Sequence, residues 1–407
     1  MIINETAFLC GYFSVSGTPA QDSGWAEISK TEEEDATLRN FYFPEFVNFF
    51  SGQVRHFECR IDSEVAFFLH SGEEVSFKVG RLSLRIMPAS LAIFSIEVLL
   101  DRMEVDVVTE VLGKLRNCSF YGDLTGNFMD VAIAPIQQMY NKLGGKKKNA
   151  DGNYAHLAEN GNKLKLFQIV TSEQCPSGVE ERNRLLYAAG TLSRYEASEP
   201  YSVDPRYYEQ VLGNHRLGVF SSWTVLALLD TVTFLGKDIP DFQRGIWIND
   251  YFEMIYIYEL FRKCFLYQHN LLFRTAAKDP IILQRELKDF ERMCSFISVS
   301  YNFLPIEVDR CIANGLSVST EEESLRKLVL EEVTARAERS TSKRDKFLLF
   351  LTCLASMSAV WDISCLFDEV INFEHAFSVP NWGYRFFSSL LLMVIAVFAW
   401  RLYRTKE

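Results

Sequence analysis

The sequence predicts an α/β head with a mixed sheet, then a helical layer and a long stalk helix, and a C-terminal two-helix transmembrane hairpin. Three observations lead there. Short β-type runs alternate with helical stripes up to about residue 240, where the β signal gives way to aromatic helical runs. The last stretch then carries two apolar runs separated by an acidic one. Segments 1–240, 241–345 and 346–407 follow as cytosolic head, helical layer with stalk, and hairpin with a basic tail.

Residues 1–50 mix short aromatic pieces with an acidic interruption at Glu32–Asp35 and give no clear element. From Val54 the runs Val54–Ile61, Val65–His70, Val75–Val79, Leu82–Met87 and Leu91–Leu100 read as antiparallel strands, with turns at Ser71-Gly72 and Gly80-Arg81. Val105–Leu115 carries a helical apolar stripe, and 131–143 reads as a second helix. Gly144–Lys163, rich in Gly and Asn, reads as a surface loop. Its Lys146, Lys147 and Lys148 could attract a phosphate, but a solvated basic loop is the better reading.

Leu164–Thr171 reads as a strand, Val179–Leu192 as a helix, and Leu217–Leu235 as one or two strands. Ile246–Phe273, Pro280–Phe303 and Pro305–Ala313 read as helices, the last stopping at Asn314-Gly315. Thr320 followed by Glu321, Glu322 and Glu323 makes a capping box with acidic residues in the first turn. Neither Pro nor Gly follows until Pro380, so one helix from about Thr320 to Phe367 is expected, roughly 70 Å long.

A bilayer core is about 30 Å thick and needs about twenty helical residues. Phe347–Phe367 offers twenty-one residues with the single charge of Asp362. Phe386–Trp400 offers fifteen uncharged residues, extended by Leu402 and Tyr403 past Arg401. Trp361, Trp382, Tyr384, Trp400 and Tyr403 sit where interfacial aromatics belong, and Arg385 and Arg401 can snorkel. Two buried helices of a water-soluble protein are the competing reading. Charge sorting separates the two readings. Arg336, Arg339, Lys343, Arg344 and Lys346 precede the first run, Arg401, Arg404 and Lys406 follow the second, and Asp368–Tyr384 holds no Lys or Arg. The positive-inside tendency then puts both chain ends in the cytosol and the loop outside, in an inner or plasma membrane.

The net charge of -11 argues against a partner as anionic as duplex nucleic acid, while leaving room for a small anion in a local basic pocket. Nine cysteines, at 10, 59, 118, 175, 264, 294, 311, 353 and 365, form no CxxC pair. They read as reduced, small apolar residues and not as a disulfide framework or a zinc site. MIINETAFLCGYF lacks the basic and long apolar regions of a signal peptide. Histidines 56, 70, 156, 215, 269 and 375 are isolated, and no HExxH, Walker-type, GxGxxG or GxSxG motif occurs, so no enzyme is expected.

The order of elements, the stalk running into FLLFLTCLASMSAVW, and the NWGYRFFSSLLLMVIAVFAWRLYRTKE tail resemble the CorA-like magnesium transporter superfamily. The last eighty residues carry most of the resemblance. It implies a homopentamer in membrane lipid, with the first membrane helix lining a central pore and the second facing lipid. One departure is plain: the family's Gly-Met-Asn tripeptide is missing, and WDISCLFDEVINFEHAF stands in its place. The family's magnesium selectivity is therefore not expected here. Members lacking the tripeptide include CorA-type membrane effectors of type III CRISPR defence, for which a nucleotide second messenger gates the pore. The resemblance thus implies a homo-oligomeric cation channel gated by its cytosolic domain or, alternatively, a nucleotide-activated antiviral effector that permeabilises the membrane. A divalent cation or a nucleotide messenger would be the bound ligand.

Asp362 reads in two ways. Five copies around an axis would form a carboxylate ring that admits cations; equally, a carboxylate near a helix end sits in headgroup water. Thr352, Ser356 and Ala359 form a small, partly hydroxylated stripe that suits a pore wall or close helix packing. Asp368, Glu369 and Glu374 would line an outer vestibule, or a solvated acidic loop. In the head, Arg182, Arg184 and Arg194 lie in or after a helix that follows a strand, where a phosphate or a solvated helix face are both consistent.

Overall fold

The computed structural model describes residues 1–15, 24–118, 127–143, 163–172, 176, 178–196, 202–237, 239–249, 251–294 and 296–373, with Leu390 and Met393. The chain divides into two units, Met1–Arg326 and Lys327–Glu407. The first is an α/β unit built on a nine-stranded mixed sheet. Its strands are β1 (Ile2–Ser14), β2 (Ala26–Ile28), β3 (Arg55–Phe68), β4 (Glu74–Met87), β5 (Leu91–Glu104), β6 (Lys165–Ser172), β7 (Arg216–Phe220), β8 (Trp223–Ala227) and β9 (Thr231–Lys237). The order across the sheet is β2-β3-β4-β5-β1-β6-β9-β8-β7, and every pairing is antiparallel except β6 with β9.

The middle position belongs to β1, which lies in the stretch of short aromatic pieces that reads as no clear element. Both of its faces are covered, so nearly all of its side chains are buried and the alternation that marks a half-buried strand is missing. Neighbouring β4 runs straight through Gly80-Arg81, where a turn was expected. The pairing with β5 shifts between Val79 and Leu82 instead, a bulge. A Cβ on Gly80 would come within 2.6 Å of the Glu97 carboxylate, so the glycine makes room for a cross-strand side chain instead of turning the chain. The turn expected at Ser71-Gly72 is present, with Gly72 at φ 84°.

Helices cover both faces of the sheet, which classes the unit as α/β with two helical layers. On one side α3 (Val105–Leu115), α4 (Ala134–Lys142), α5 (Val179–Thr191) and α6 (Pro205–His215) pack on Ala7, Leu9, Phe94, Leu166 and Leu226. A single π-helical turn, Met129–Ile133, leads into α4. On the other side lie α2 (Pro44–Gly52), α7 (Asp241–Asn249), α8 (Phe252–Arg274), α9 (Pro280–Cys294) and α10 (Phe303–Gly315), with the short α1 (Glu32–Leu38) preceding α2. Aromatic rings fill this second interface: Phe234 stacks on Phe252 at 4.5 Å, and Phe167 on Tyr256 at 5.0 Å. A Cβ on Gly315 would meet the Ala227 backbone at 2.5 Å, so this glycine lets α10 lie directly on β8.

Two expected helices are broken by long-range contacts. Ile246–Phe273 is interrupted before Phe252, where the Tyr251 carbonyl accepts the Tyr42 hydroxyl at 2.6 Å and the Tyr251 backbone leaves the helical region. Pro280–Phe303 ends at Cys294, because Ser298, Ser300 and Asn302 bond to one another's backbone and to the carbonyl of Phe41. The loop expected at Gly144–Lys163 lies outside the described residues, apart from Lys163.

The last helix, α11, spans Val318–Phe373 without a break. It starts earlier than the capping box suggests: Ser317 takes a positive φ of 56°, its carbonyl accepts the Glu321 N–H at 3.1 Å, and Thr320 lies inside the helix. It also ends later, so Asp368 and Glu369 belong to helical backbone where an outer loop was expected. Glu374 and the second apolar run lie outside the described residues, Leu390 and Met393 excepted.

Candidate functional site

Three places carry the chemistry that the sequence hinted at: the apolar length of α11, the polar cluster around its first turns, and two cavities beside α5. The apolar length decides the most. Among the described residues, one helix is long and apolar enough to cross a membrane, and none of its apolar window is buried. Phe347, Phe350, Trp361 and Leu366 are each more than half exposed, at 60%, 58%, 65% and 60%. A core helix of a water-soluble protein would cover such side chains, since each buried one contributes about 1.5–3 kcal/mol. Exposed over most of its circumference, this segment needs lipid or protein against it.

Within it the hydroxyls are already satisfied. Thr352 donates to the Leu348 carbonyl and Ser356 to the Thr352 carbonyl, both at 2.8 Å. That leaves no unpaired polar group on this stripe, as an apolar solvent requires. Thr352, Ala359 and Asp362 are exposed and Ser356 is half-buried. Helical geometry, roughly 100° per residue, puts Thr352, Ser356 and Ala359 within about 60° of one another and Asp362 about 80° from Thr352. Asp362 therefore sits at the flank of the stripe, whose line continues through Ile363.

The first turns of α11 are held by α8 and α9. Arg262 of α8 bonds Glu259 on its own helix and Glu322 of α11, both at 2.8 Å, and Lys263 pairs with Glu321. Arg326 reaches Glu291 of α9 at 2.9 Å. Leu325 is buried among them, and so is Val318. Glu259 is fully buried, and one of its oxygens has no partner; the same holds for one oxygen of the buried Asp309 on α10. Burial pushes both carboxyls up from the ordinary carboxylate range, and the Arg262 guanidinium opposes that rise.

The arginines expected to meet a phosphate separate onto two faces of α5. Arg184 and Arg194 line a cavity of about 580 Å³ with Tyr187, Tyr195, Tyr208 and Glu180. Arg184 pairs loosely with Glu180 at 3.7 Å, and burial pushes the Tyr208 hydroxyl up to about 12, so it is a neutral donor. Arg182 instead donates to the Ser221 carbonyl at 2.8 Å and lines a smaller cleft of about 170 Å³, together with Arg216 and Lys237. Those two cations lie 34 and 55 positions further along the chain, and the strand pairing of β7, β8 and β9 is what brings them there.

No group of three or more His, Cys, Asp or Glu arranged to hold a metal occurs among the described residues. Among the described residues of the first unit, Cys10, Cys59, Cys118, Cys264, Cys294 and Cys311 form no disulfide. Burial raises the thiols of Cys294 and Cys311 to about 12, so both are inert. Compared with known proteins, the chain matches no family model and no curated sequence.

Proposed function

We propose that the protein is a membrane-embedded, homo-oligomeric channel of CorA-like design, gated by ligand binding to its α/β head. The observation that carries this is the unburied apolar segment of α11 on the same helix whose first turns are clamped by Arg262, Lys263 and Glu291. A helix clamped at its root and apolar further on can pass a displacement along its length, because helical hydrogen bonds make it stiff. Thr352, Ser356 and Ala359 would face the conduction path, with Asp362 at its flank and the second apolar run completing the hairpin. Basic residues on either side of the hairpin favour cytosolic chain ends.

Purified oligomers in planar bilayers test this reading. Discrete, cation-selective conductance that responds to a head ligand is expected. Well-folded oligomers that pass no current with divalent cations or with adenine nucleotides would refute it.

The second reading is a membrane effector switched by a nucleotide messenger, as in type III CRISPR defence. The 580 Å³ cavity favours it, being of the size that holds a nucleotide and offering three tyrosines for stacking beside Arg184 and Arg194. Native mass spectrometry separates the two readings: a co-purified nucleotide supports the effector, and a divalent metal supports the transporter.

A further inference from the structure

The smaller cleft beside α5 holds a charge arrangement that the fold itself does not use. Arg182, Arg216 and Lys237 converge on it from α5, β7 and β9, and among the described residues no carboxylate lines it. Each is accounted for among the described residues. Arg182 bonds only a neutral carbonyl, that of Ser221, and Arg216 bonds only the neutral Asn183 side-chain oxygen, at 2.6 Å. Lys237 has no ion pair there. Several other cations of the unit are matched to acids: Arg85 to Glu253, Lys114 to Glu110, Arg262 to Glu259 and Glu322. Three positive charges around one concavity repel one another, and without a counter-charge the arrangement costs stability. An anion in the cleft removes that cost.

We propose that this cleft is a binding site for a phosphate-bearing anion. Its volume of about 170 Å³ is that of roughly five or six water molecules, which suits one or two phosphate groups and falls below the size of a pocket for a whole nucleoside. Two guanidiniums offer forked donors to tetrahedral oxygens and the ammonium supplies a point charge. The donors are held in advance: the Ser221 carbonyl fixes Arg182, and Asn183 fixes Arg216. Glu180 points to the other face of α5, where it lines the larger cavity with Arg184. The site belongs to the head and stands whether or not the chain conducts ions.

Calorimetric titration of the full chain in detergent with inorganic pyrophosphate at low ionic strength tests it. Saturable binding that weakens as salt is added is expected. Lys237→Met and Arg216→Gln should each weaken it by roughly tenfold or more, because each removes a charge-assisted contact. Lys237 makes no ion pair among the described residues, so its variant should melt with the parent. Arg184→Gln and Arg194→Gln, on the opposite face, should leave affinity within about twofold. Absence of binding at millimolar pyrophosphate, or equal losses in the Arg184 and Arg194 variants, overturns the site. Titration with ATP identifies the source of the phosphate. Tighter binding than pyrophosphate, with competition between them, supports a nucleotide arm; weaker competitive binding supports a free phosphate or diphosphate. The readout is binding and not conductance, so its failure leaves the channel reading intact.

Discussion

Replacing Glu5 with glutamine should change how stability depends on pH more than it changes stability itself. Glu5 sits on the central strand, 2% exposed, opposite Leu100 of β5 and Val170 of β6, and its Oε1 has no hydrogen-bond partner. Burial raises its carboxyl from the ordinary 4.5 to about 8. The folded state therefore holds a proton that the unfolded chain releases. The protonated carboxyl contributes fully below pH 4.5, and that contribution is lost as pH rises through 8. At pH 7 the gap is about 2.5 pH units at about 1.4 kcal/mol each, so roughly 3 kcal/mol is lost relative to pH 4. Glu5→Gln does not titrate and does not lose it. Urea unfolding of both proteins in detergent, followed by the fluorescence of Trp25, Trp223 and Trp247, should give curves that diverge by about 3 kcal/mol from pH 4 to pH 7. Any cost of the amide itself is the same at both pH values and cancels. Parallel profiles would show that the carboxyl is ionised in the fold, and the reasoning from burial would fail.

Further outcomes follow from other sites. Glu259 and Asp309 are both raised by burial, so the α8–α10 contact should be strongest below about pH 4 and weaken as pH rises through about 6 and about 8; Asp309→Asn should flatten the part of that loss below about pH 6 in hydrogen-exchange measurements on α10. Gly315→Ala should destabilise the head by roughly 1–3 kcal/mol or more, because the new methyl meets the backbone of Ala227; thermal melts check it, and an unchanged melting temperature would show that α10 stands off β8. Phe252→Ala should cost about 3–5 kcal/mol by emptying the ring stack against Phe234, which the same melts report. Asp362→Asn should lower cation selectivity in bilayer recordings, and unchanged selectivity in a conducting protein would remove Asp362 from the pore.

How much was legible depends on how local each feature is. The α3 stripe at Val105–Leu115 and the turn at Gly72 were readable because they follow from spacing and backbone freedom within a few residues. The break before Phe252 was not, because it depends on the hydroxyl of Tyr42, 209 positions away. Of the candidate ligand residues, the sequence reached Arg182, Arg184 and Arg194 as a group. It could not separate them, since whether neighbours on a helix share a cavity depends on what packs against each face. Arg216 and Lys237 carried no signal at all: β7 and β9 read as ordinary apolar strands, and only their pairing with β8 turns those two cations toward α5.

By itself the sequence determined the long final helix and its apolar length, because an unbroken run without Pro or Gly and a window without charge are properties of consecutive residues. It also determined the mixture of strands and helices before it. Only the tertiary structure decided that Ile2–Ser14 is the central strand, that Glu5 and Glu259 are buried, and that three cations meet in one cleft. The physical reason is the same in each case. Burial and charge balance are set by what the rest of the chain brings alongside, and no window of neighbouring residues contains that information.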